Sequence, residues 1–354
     1  MKIGLLIYGS LQTISGGNIY DKYLVDYLES KGDQVEIVSL PWRNYPAHLA
    51  NNLSSKLTTR LTNLEVDLLI EDELCHPSLF LINRWIKSKV SYPIISLVHH
   101  LRSSENHPAW LLWFYKLVEK RYLNSIDGFI FNSTTTQNSV QTIVPKIPPK
   151  VIAYPGGNRL EKSINEEQIR QRALRNRPLQ VVFLGSITSR KQPHLLVEAC
   201  SLLPPGAIEV TLIGSQIIEA RYARNVRKMT AGLPVKMLET LNADELSTLL
   251  ANQDILVVPS TYEGFGIVYL EGMGFGLPAI ATTNGAAHET ICHDKNGFLI
   301  QPGDAEALAN HLHELANDRQ KLLKMSLVAL QTHQQGPTWD EMGQKVYEFL
   351  HNVM

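Results

Sequence analysis

The stretch Pro259-Ser-Thr-Tyr-Glu263-Gly-Phe-Gly-Ile-Val-Tyr-Leu-Glu271-Gly-Met-Gly-Phe-Gly-Leu-Pro278 reads as the end of a buried strand, a loop bearing Glu263, and a helix over Gly266–Gly276 that is apolar nearly all round. A helix of that kind is a buried one. Glu271 falls in its second turn, where an unpaired carboxylate is costly, so it requires a hydrogen-bonding partner from the protein or from ligand hydroxyls. Gly272, Gly274 and Gly276 each cost about 1 kcal/mol relative to Ala in a helix, which implies close approach of another element. Near Phe265, Gly266 and Ile267 the helix start offers unpaired N–H groups and a positive dipole end, suited to a diphosphate.

Upstream and downstream of this stretch, strands and helices alternate. Val181–Gly185, Val210–Gly214, Val235–Leu238, Ile255–Pro259 and Ala279–Thr282 read as strands, with helices around Pro193–Leu203, Glu219–Ala231, Asp244–Ala251 and Ala305–Asp318. The first half repeats the rhythm with Ile3–Tyr8, a helix from about Asn18 to Lys31, Gln34–Leu40, Leu68–Ile70, Ile94–His99 and Gly128–Asn132. Alternation of this kind indicates parallel sheets with helices on both faces. The chain is therefore read as α/β, two doubly wound Rossmann-like domains facing a central cleft. A polar, charge-rich stretch, 159–177, is expected to link an N-terminal domain of 1–158 plus 338–354 to a C-terminal domain of 178–337. The tail joins the first domain in this reading because Trp339, Met342, Val346, Phe349 and Leu350 form a helical stripe that must be buried. In such sheets ligands bind beyond the carboxyl ends of the strands, which directs attention to the loops after Tyr8, His99, Gly185 and Pro259.

The two glutamates, separated by seven residues around Glu-Gly-Phe-Gly and closed by Gly-Leu-Pro278, resemble the signature of the retaining family 4 glycosyltransferases of GT-B fold. The resemblance continues through Ala281-Thr282-Thr283-Asn284-Gly285, Glu289, Asn296-Gly297-Phe298-Leu299 and Pro302-Gly303-Asp304. It implies that Glu263 contacts the donor sugar and Glu271 the ribose of the nucleotide. It also draws attention to Gly185-Ser186-Ile187-Thr188-Ser189-Arg190-Lys191, where such enzymes carry an Arg directly after the Gly and a Lys five positions beyond it. Lys191 matches. Ser186 stands in place of the Arg, and Arg190 is the natural substitute for gripping the pyrophosphate, since a guanidinium binds phosphate bidentately; the alternative is a solvated basic pair before a helix.

In the first half, Ser15-Gly16-Gly17-Asn18 lies between strand and helix, where a diglycine admits a charged group close to the backbone. The resemblance implies that Gly16 and Gly17 face the donor phosphates and that His99 is the active-site histidine touching the donor sugar. His100 is expected to be structural, because adjacent residues at a strand end point to opposite sides. Glu71-Asp72-Glu73 lacks the Asp-x-Asp spacing of metal-dependent sugar-nucleotide enzymes, so no essential metal or other cofactor is expected, with Glu73 or His76 as candidates to line the acceptor pocket.

Composition bounds the rest. In 354 residues, 33 Lys+Arg against 34 Asp+Glu give a formal charge of -1, which offers no broadly basic surface for nucleic acid. Cys75, Cys200 and Cys292 are odd in number and sit among apolar neighbours, which suits reduced core thiols and a cytoplasmic location. No signal peptide is recognised, and Trp110–Val118, interrupted by Lys116, is about half the length needed to cross a bilayer, so any membrane contact is peripheral. Between Ile37 and Leu64 there is no acid, and Leu49, Leu53, Leu57 and Leu61 recur at four-residue spacing beside Arg43, Lys56 and Arg60. That segment reads either as a basic amphipathic face for an anionic membrane or as a surface helix packing its leucines on the sheet.

The resulting expectation is a retaining, metal-independent transfer of a sugar from a nucleotide diphosphate donor to a sugar, lipid or small-molecule hydroxyl, by front-face reaction. The rivals are a sugar-nucleotide epimerase of the same fold and a non-catalytic nucleotide-sugar-binding subunit, the latter suggested by Ser186.

Overall fold

The computed structural model describes residues 1–13, 15–160 and 164–354 and resolves two compact units, 1–155 with 339–354, and 156–338. Each is built on one six-stranded sheet whose strands are all parallel.

In the first unit the strands are β1 (Lys2–Tyr8), β2 (Gln34–Leu40), β3 (Leu68–Asp72), β4 (Ile94–Val98), β5 (Gly128–Phe131) and β6 (Lys150–Ile152), ordered β2-β1-β3-β4-β5-β6. Strands β3, β4 and β5 are buried throughout, as expected of parallel strands covered on both faces. Helix Gly16–Ser30 follows β1, capped by Ser15 Oγ, which accepts from Asn18 N–H at 3.1 Å. It buries Tyr20, Asp21, Leu24, Val25 and Leu28. The terminal helix Trp339–Val353 packs in this unit: Trp339 stacks on Tyr23 at 4.3 Å, and Tyr27 Oη donates to Gln344 Oε1 at 2.5 Å.

In the second unit β7 (Leu179–Leu184), β8 (Ile208–Ile213), β9 (Val235–Leu238), β10 (Ile255–Val258), β11 (Ala279–Thr282) and β12 (Gly297–Ile300) run in the order β12-β11-β10-β7-β8-β9. The glycines of helix Ile267–Gly274 and of the turn after it do admit close neighbours. A Cβ at Gly274 would lie 2.9 Å from the His333 ring, and one at Gly276 2.4 Å from Ile169 Cδ1.

Several expectations are corrected. The stretch read as a linker carries helix Glu166–Ala173, closed by an Asn165/Gln168 capping box, and its Arg172 is buried while donating to the carbonyls of Phe275 and Gly276 at 2.9 and 3.0 Å. Residues 161–163 of that stretch lie outside the described residues. The leucine stripe from Leu49 to Leu61 is not one helix: Tyr45–Ala50 and Ser55–Thr62 are separated by a turn in which Leu53 is 82% exposed, while Leu57 and Leu61 are buried. Ser54 makes the break by capping the second helix through Leu57 N–H. Strands β6 and β12, short and without a period long enough to announce themselves, complete the two sheets. Cys292 is exposed rather than a core thiol. No helix among the described residues is long and apolar enough to cross a membrane.

An unusual concentration of buried acids gives the first unit a distinctive pH response. Burial raises Glu71 and Glu119 to about 7 and Glu73 to about 8, and it raises Asp72 as well. In the unfolded chain these groups release their protons near 4.5 for Glu and 3.8 for Asp. Between those values and the folded ones the folded state binds more protons, so stability falls as pH rises. His99 acts in the same sense, since its raised value of about 9 makes its stabilisation complete below 6.5 and lost as pH climbs through 9. His76, lowered by burial, opposes them. All five tryptophans, Trp42, Trp85, Trp110, Trp113 and Trp339, belong to the first unit, so tryptophan fluorescence reports it alone. Its melting midpoint is expected to drop by at least about 5 °C between about pH 6 and pH 9; a flat or rising midpoint would contradict the protonated-acid assignment.

Candidate functional site

In the second unit the loop after β7 and the loop after β10 converge. Gly185 has φ +151°, and the Lys191 side chain runs past it, with Cε 3.5 Å from where a Cβ would stand. Lys191 Nζ is ion-paired with Glu263 Oε1, the same oxygen that accepts from Ser260 Oγ at 2.6 Å. Arg190 Nη1 lies 3.7 Å from that oxygen and donates to the Tyr262 carbonyl at 2.9 Å, while the Arg190 carbonyl accepts from Thr261 N–H at 2.8 Å. Arg190 is thus stitched to the Glu263 loop rather than solvated. Burial alone would raise the Glu263 carboxyl, but Lys191 and then Arg190 outweigh it and hold it at about 2. Glu263 is consequently an ionised hydrogen-bond acceptor at neutral pH, not a proton donor. Burial outweighs the partner carboxylate at Lys191, whose ammonium falls below its ordinary value.

Gly266 caps the following helix with φ +89°, and a Cβ there would come within 2.3 Å of Tyr269. Only glycine fits, because the left-handed turn and the ring together exclude a side chain. Phe265 and Ile267 on either side of it are buried. Glu271, 2% exposed, finds its partner in Arg159, whose Nε donates to Oε1 at 2.5 Å. Arg159 lies in the stretch that reads as linker; the demand of Glu271 for a partner is legible in the sequence, the partner's identity is not.

In the first unit His99 sits just past the end of β4. Its Nε2 is 2.9 Å from Oδ1 of Asp21, a fully buried carboxylate in the second turn of helix Gly16–Ser30. The ring also meets Tyr20 edge-on at 5.3 Å, and a Cβ on Gly17 would stand 3.2 Å from its Cδ2. Gly17 therefore lets the helix start pass directly over the imidazole, and Gly16 opens the helix at its exposed N-terminus. Burial alone would lower His99; the Asp21 charge and hydrogen bond, followed by Asp72 and Glu73, outweigh it and raise it to about 9. The group is an imidazolium at neutral pH. His100 pairs with Glu105 at 3.0 Å. Glu73 and His76 are 1% and 2% exposed, which removes them as lining of an open acceptor pocket.

Among the described residues, two clusters in this unit have the side-chain proximity of a cation site: Asp21, Asp72 and His99, and Glu73, His76 and Glu119, each with ligand atoms within 4.8 Å of one another. Their imidazole nitrogens are engaged, His99 Nε2 with Asp21, and His76 Nδ1 with the Glu73 carbonyl at 2.9 Å and Nε2 with Tyr45 Oη at 3.1 Å. Burial raises Asp72, Glu73 and Glu119 above the ordinary carboxylate range, so these three hold their protons to higher pH than exposed acids do. Asp21 is a site residue that the periodicity of the first helix does not reveal, because its buried stripe runs through tyrosines and leucines; a carboxylate inside that arc is the one signal for it.

Comparison with known proteins places these loops in context. The two-unit architecture is the GT-B fold: sucrose-phosphate synthase from Thermosynechococcus elongatus superposes with a TM-score of 0.81 at 19% identity, covering 99% of this chain and 98% of that one. Anabaena HepE, solved in complex with UDP-glucose, gives 0.79 at 20% identity, covering 99% and 100%. Among curated proteins, sulfoquinovosyl transferase SQD2 of Arabidopsis thaliana is 36% identical over 143 residues, which is 40% of this chain and 27% of that protein. A D-inositol 3-phosphate glycosyltransferase of Corynebacterium urealyticum is 23% identical over 253 residues, 67% of this chain and 59% of its own length. The chain thus spans less than two thirds of the length of these relatives. Residues 164–329, which hold Gly185, Arg190, Lys191, Glu263, Gly266 and Glu271, match the family described as Glycosyl transferases group 1.

Proposed function

We propose that this protein is a retaining glycosyltransferase of family 4 that moves a sugar from a uridine diphosphate donor to the hydroxyl of a sugar, lipid or small-molecule acceptor. The observation that carries the reading is the Lys191–Glu263 pair, flanked by Arg190 on the Gly185 loop, inside the segment that matches the family. Uridine is chosen because HepE is described with UDP and with UDP-glucose.

Lys191 and Arg190 supply the positive charge for the departing diphosphate, aided by the N–H groups at Gly266 and Ile267; a site of this kind accelerates reaction chiefly by stabilising the charge that develops in the transition state. They make a metal unnecessary in this scheme. Glu263, permanently ionised, accepts hydrogen bonds from donor-sugar hydroxyls. Its Oε1 is occupied by Lys191 and Ser260, which makes it a poor covalent nucleophile and favours front-face reaction: the bond from the anomeric carbon to the phosphate oxygen breaks, the acceptor oxygen bonds to the same face, and its proton passes to the leaving phosphate. Glu271, steadied by Arg159, takes the ribose hydroxyls. The family resemblance further assigns Gly16 and Gly17 to the donor phosphates and His99 to the donor sugar, and these assignments are part of the proposal. Cytoplasmic residence is part of the proposal and accords with three free cysteines.

Ser186 favours a second reading, a nucleotide-sugar-binding subunit without turnover, because half of the usual basic clamp is replaced. One experiment addresses both. UDP-sugars are expected to raise the melting temperature, since a ligand bound only by the folded state stabilises it. Glu271→Ala is expected to weaken that binding about tenfold, the order of a charged hydrogen bond. Donor binding with turnover in the presence of acceptor supports transfer; binding with no turnover and no donor hydrolysis over a broad acceptor panel supports the subunit, and a donor affinity untouched by Glu271→Ala removes the ribose assignment.

A further inference from the structure

Helix Ala109–Leu123 of the first unit buries Tyr115, Val118, Glu119, Tyr122 and Leu123 and turns an opposite face to solvent. That face begins with Trp110 and Trp113, 71% and 67% exposed, and continues through Leu117 to exposed Lys116, Lys120 and Arg121. The helix has one acid, Glu119, and it points inward, where it accepts from Ser103 N–H at 2.9 Å. The outward charges are therefore all positive. Tyr115, on the opposite, buried side, packs on Tyr45 at 4.7 Å and fixes the helix on the unit, which leaves the indole and lysine face outward.

We propose that this face docks the first unit on an anionic phospholipid surface. Two indoles one turn apart, left in water, lose the burial that aromatic rings gain elsewhere; at a bilayer interface the rings sit at headgroup depth while neighbouring cations meet lipid phosphates. The charge pattern favours lipid over a protein partner, because lysine is depleted where protein interfaces bury aromatic groups. The helix is too short and too interrupted to span, so the contact is in-plane. This location replaces the broken leucine stripe of 37–64, whose Leu57 and Leu61 belong to the core. Docking is independent of the transfer chemistry, and its test uses no nucleotide sugar.

Full-length protein is sedimented with vesicles of phosphatidylcholine alone or with about 30% phosphatidylglycerol, at low and high salt. Binding is expected only with the anionic vesicles, falling with salt and accompanied by a blue shift of tryptophan emission. Trp110→Ala with Trp113→Ala is expected to lower the bound fraction at least about tenfold, and Lys116→Glu, Lys120→Glu and Arg121→Glu together to abolish binding, both with unchanged melting because the residues are exposed. Absence of binding, equal binding to neutral vesicles, or binding indifferent to both variants overturns the proposal. So does a chain that ignores vesicles but changes from oligomer to monomer when the tryptophans are removed, which would make the face an interface between copies.

Discussion

Lys191→Ala is expected to lower sugar transfer at least about a hundredfold and to destabilise the second unit at the same time. The first effect follows from the charge that the leaving diphosphate loses. The second follows from what remains behind: Glu263, 7% exposed, would lose its paired ammonium and be left, among the described residues, with Ser260 Oγ and, at 3.7 Å, Arg190. Breaking a buried ion pair on one side costs about 3–5 kcal/mol, because the surviving charge stays desolvated. The carboxyl then has reason to rise from about 2, since burial is no longer outweighed. The two effects separate in a double variant. Lys191→Met combined with Glu263→Gln removes both charges, so stability recovers while transfer stays lost. Unfolding is followed by far-UV circular dichroism, because the second unit contains no tryptophan. If Lys191→Ala kept transfer within about threefold of the parent kcat/KM, the electrostatic role assigned to this loop would be wrong.

What the sequence disclosed and what it withheld divide along a physical line. The repeating strands and the Glu263–Glu271 spacing are local patterns, carried by periodicity and by glycines at fixed offsets, and the structure places them on the elements read from the chain. Partners of buried charges are non-local. Arg159 meets Glu271 across 112 positions and Asp21 meets His99 across 78, distances at which no periodicity operates. The same limit explains the leucines of 37–64. Four-residue spacing promises one stripe, but Ser54 caps a new helix in the middle of it, and a cap is a single side-chain hydrogen bond that competes successfully with a continuing helix. Ser186 is legible as a departure from the resemblance; that Arg190 is tied into the Glu263 loop requires the fold.

Deleting the chain from Thr338 onward is expected to unfold the first unit and abolish transfer while the second unit keeps its nucleotide affinity. Helix Trp339–Val353 buries Trp339, Met342, Val346, Phe349 and Leu350. At about 2 kcal/mol for each large apolar side chain the burial is on the order of 10 kcal/mol, comparable with the whole stability of a domain at about 5–15 kcal/mol. The fit is also specific. A Cβ on Gly343 would fall 2.2 Å from the Tyr27 ring, so the two helices are in backbone-close contact, and Phe349 Cζ stands 3.2 Å from where a Cβ on Gly128 would be. Removing the helix uncovers Tyr20, Tyr23 and Tyr27 along helix Gly16–Ser30, the element that positions Asp21 against His99 and presents Gly16 and Gly17. Trp42, Trp85, Trp110 and Trp113 remain in the truncated chain and all report the first unit, so loss of their cooperative melting transition is the direct readout. A UDP-induced rise in the remaining transition tests whether the second unit survives. Full activity with an unchanged fluorescence transition would show that the terminal helix contributes neither to the first unit nor to the site it supports.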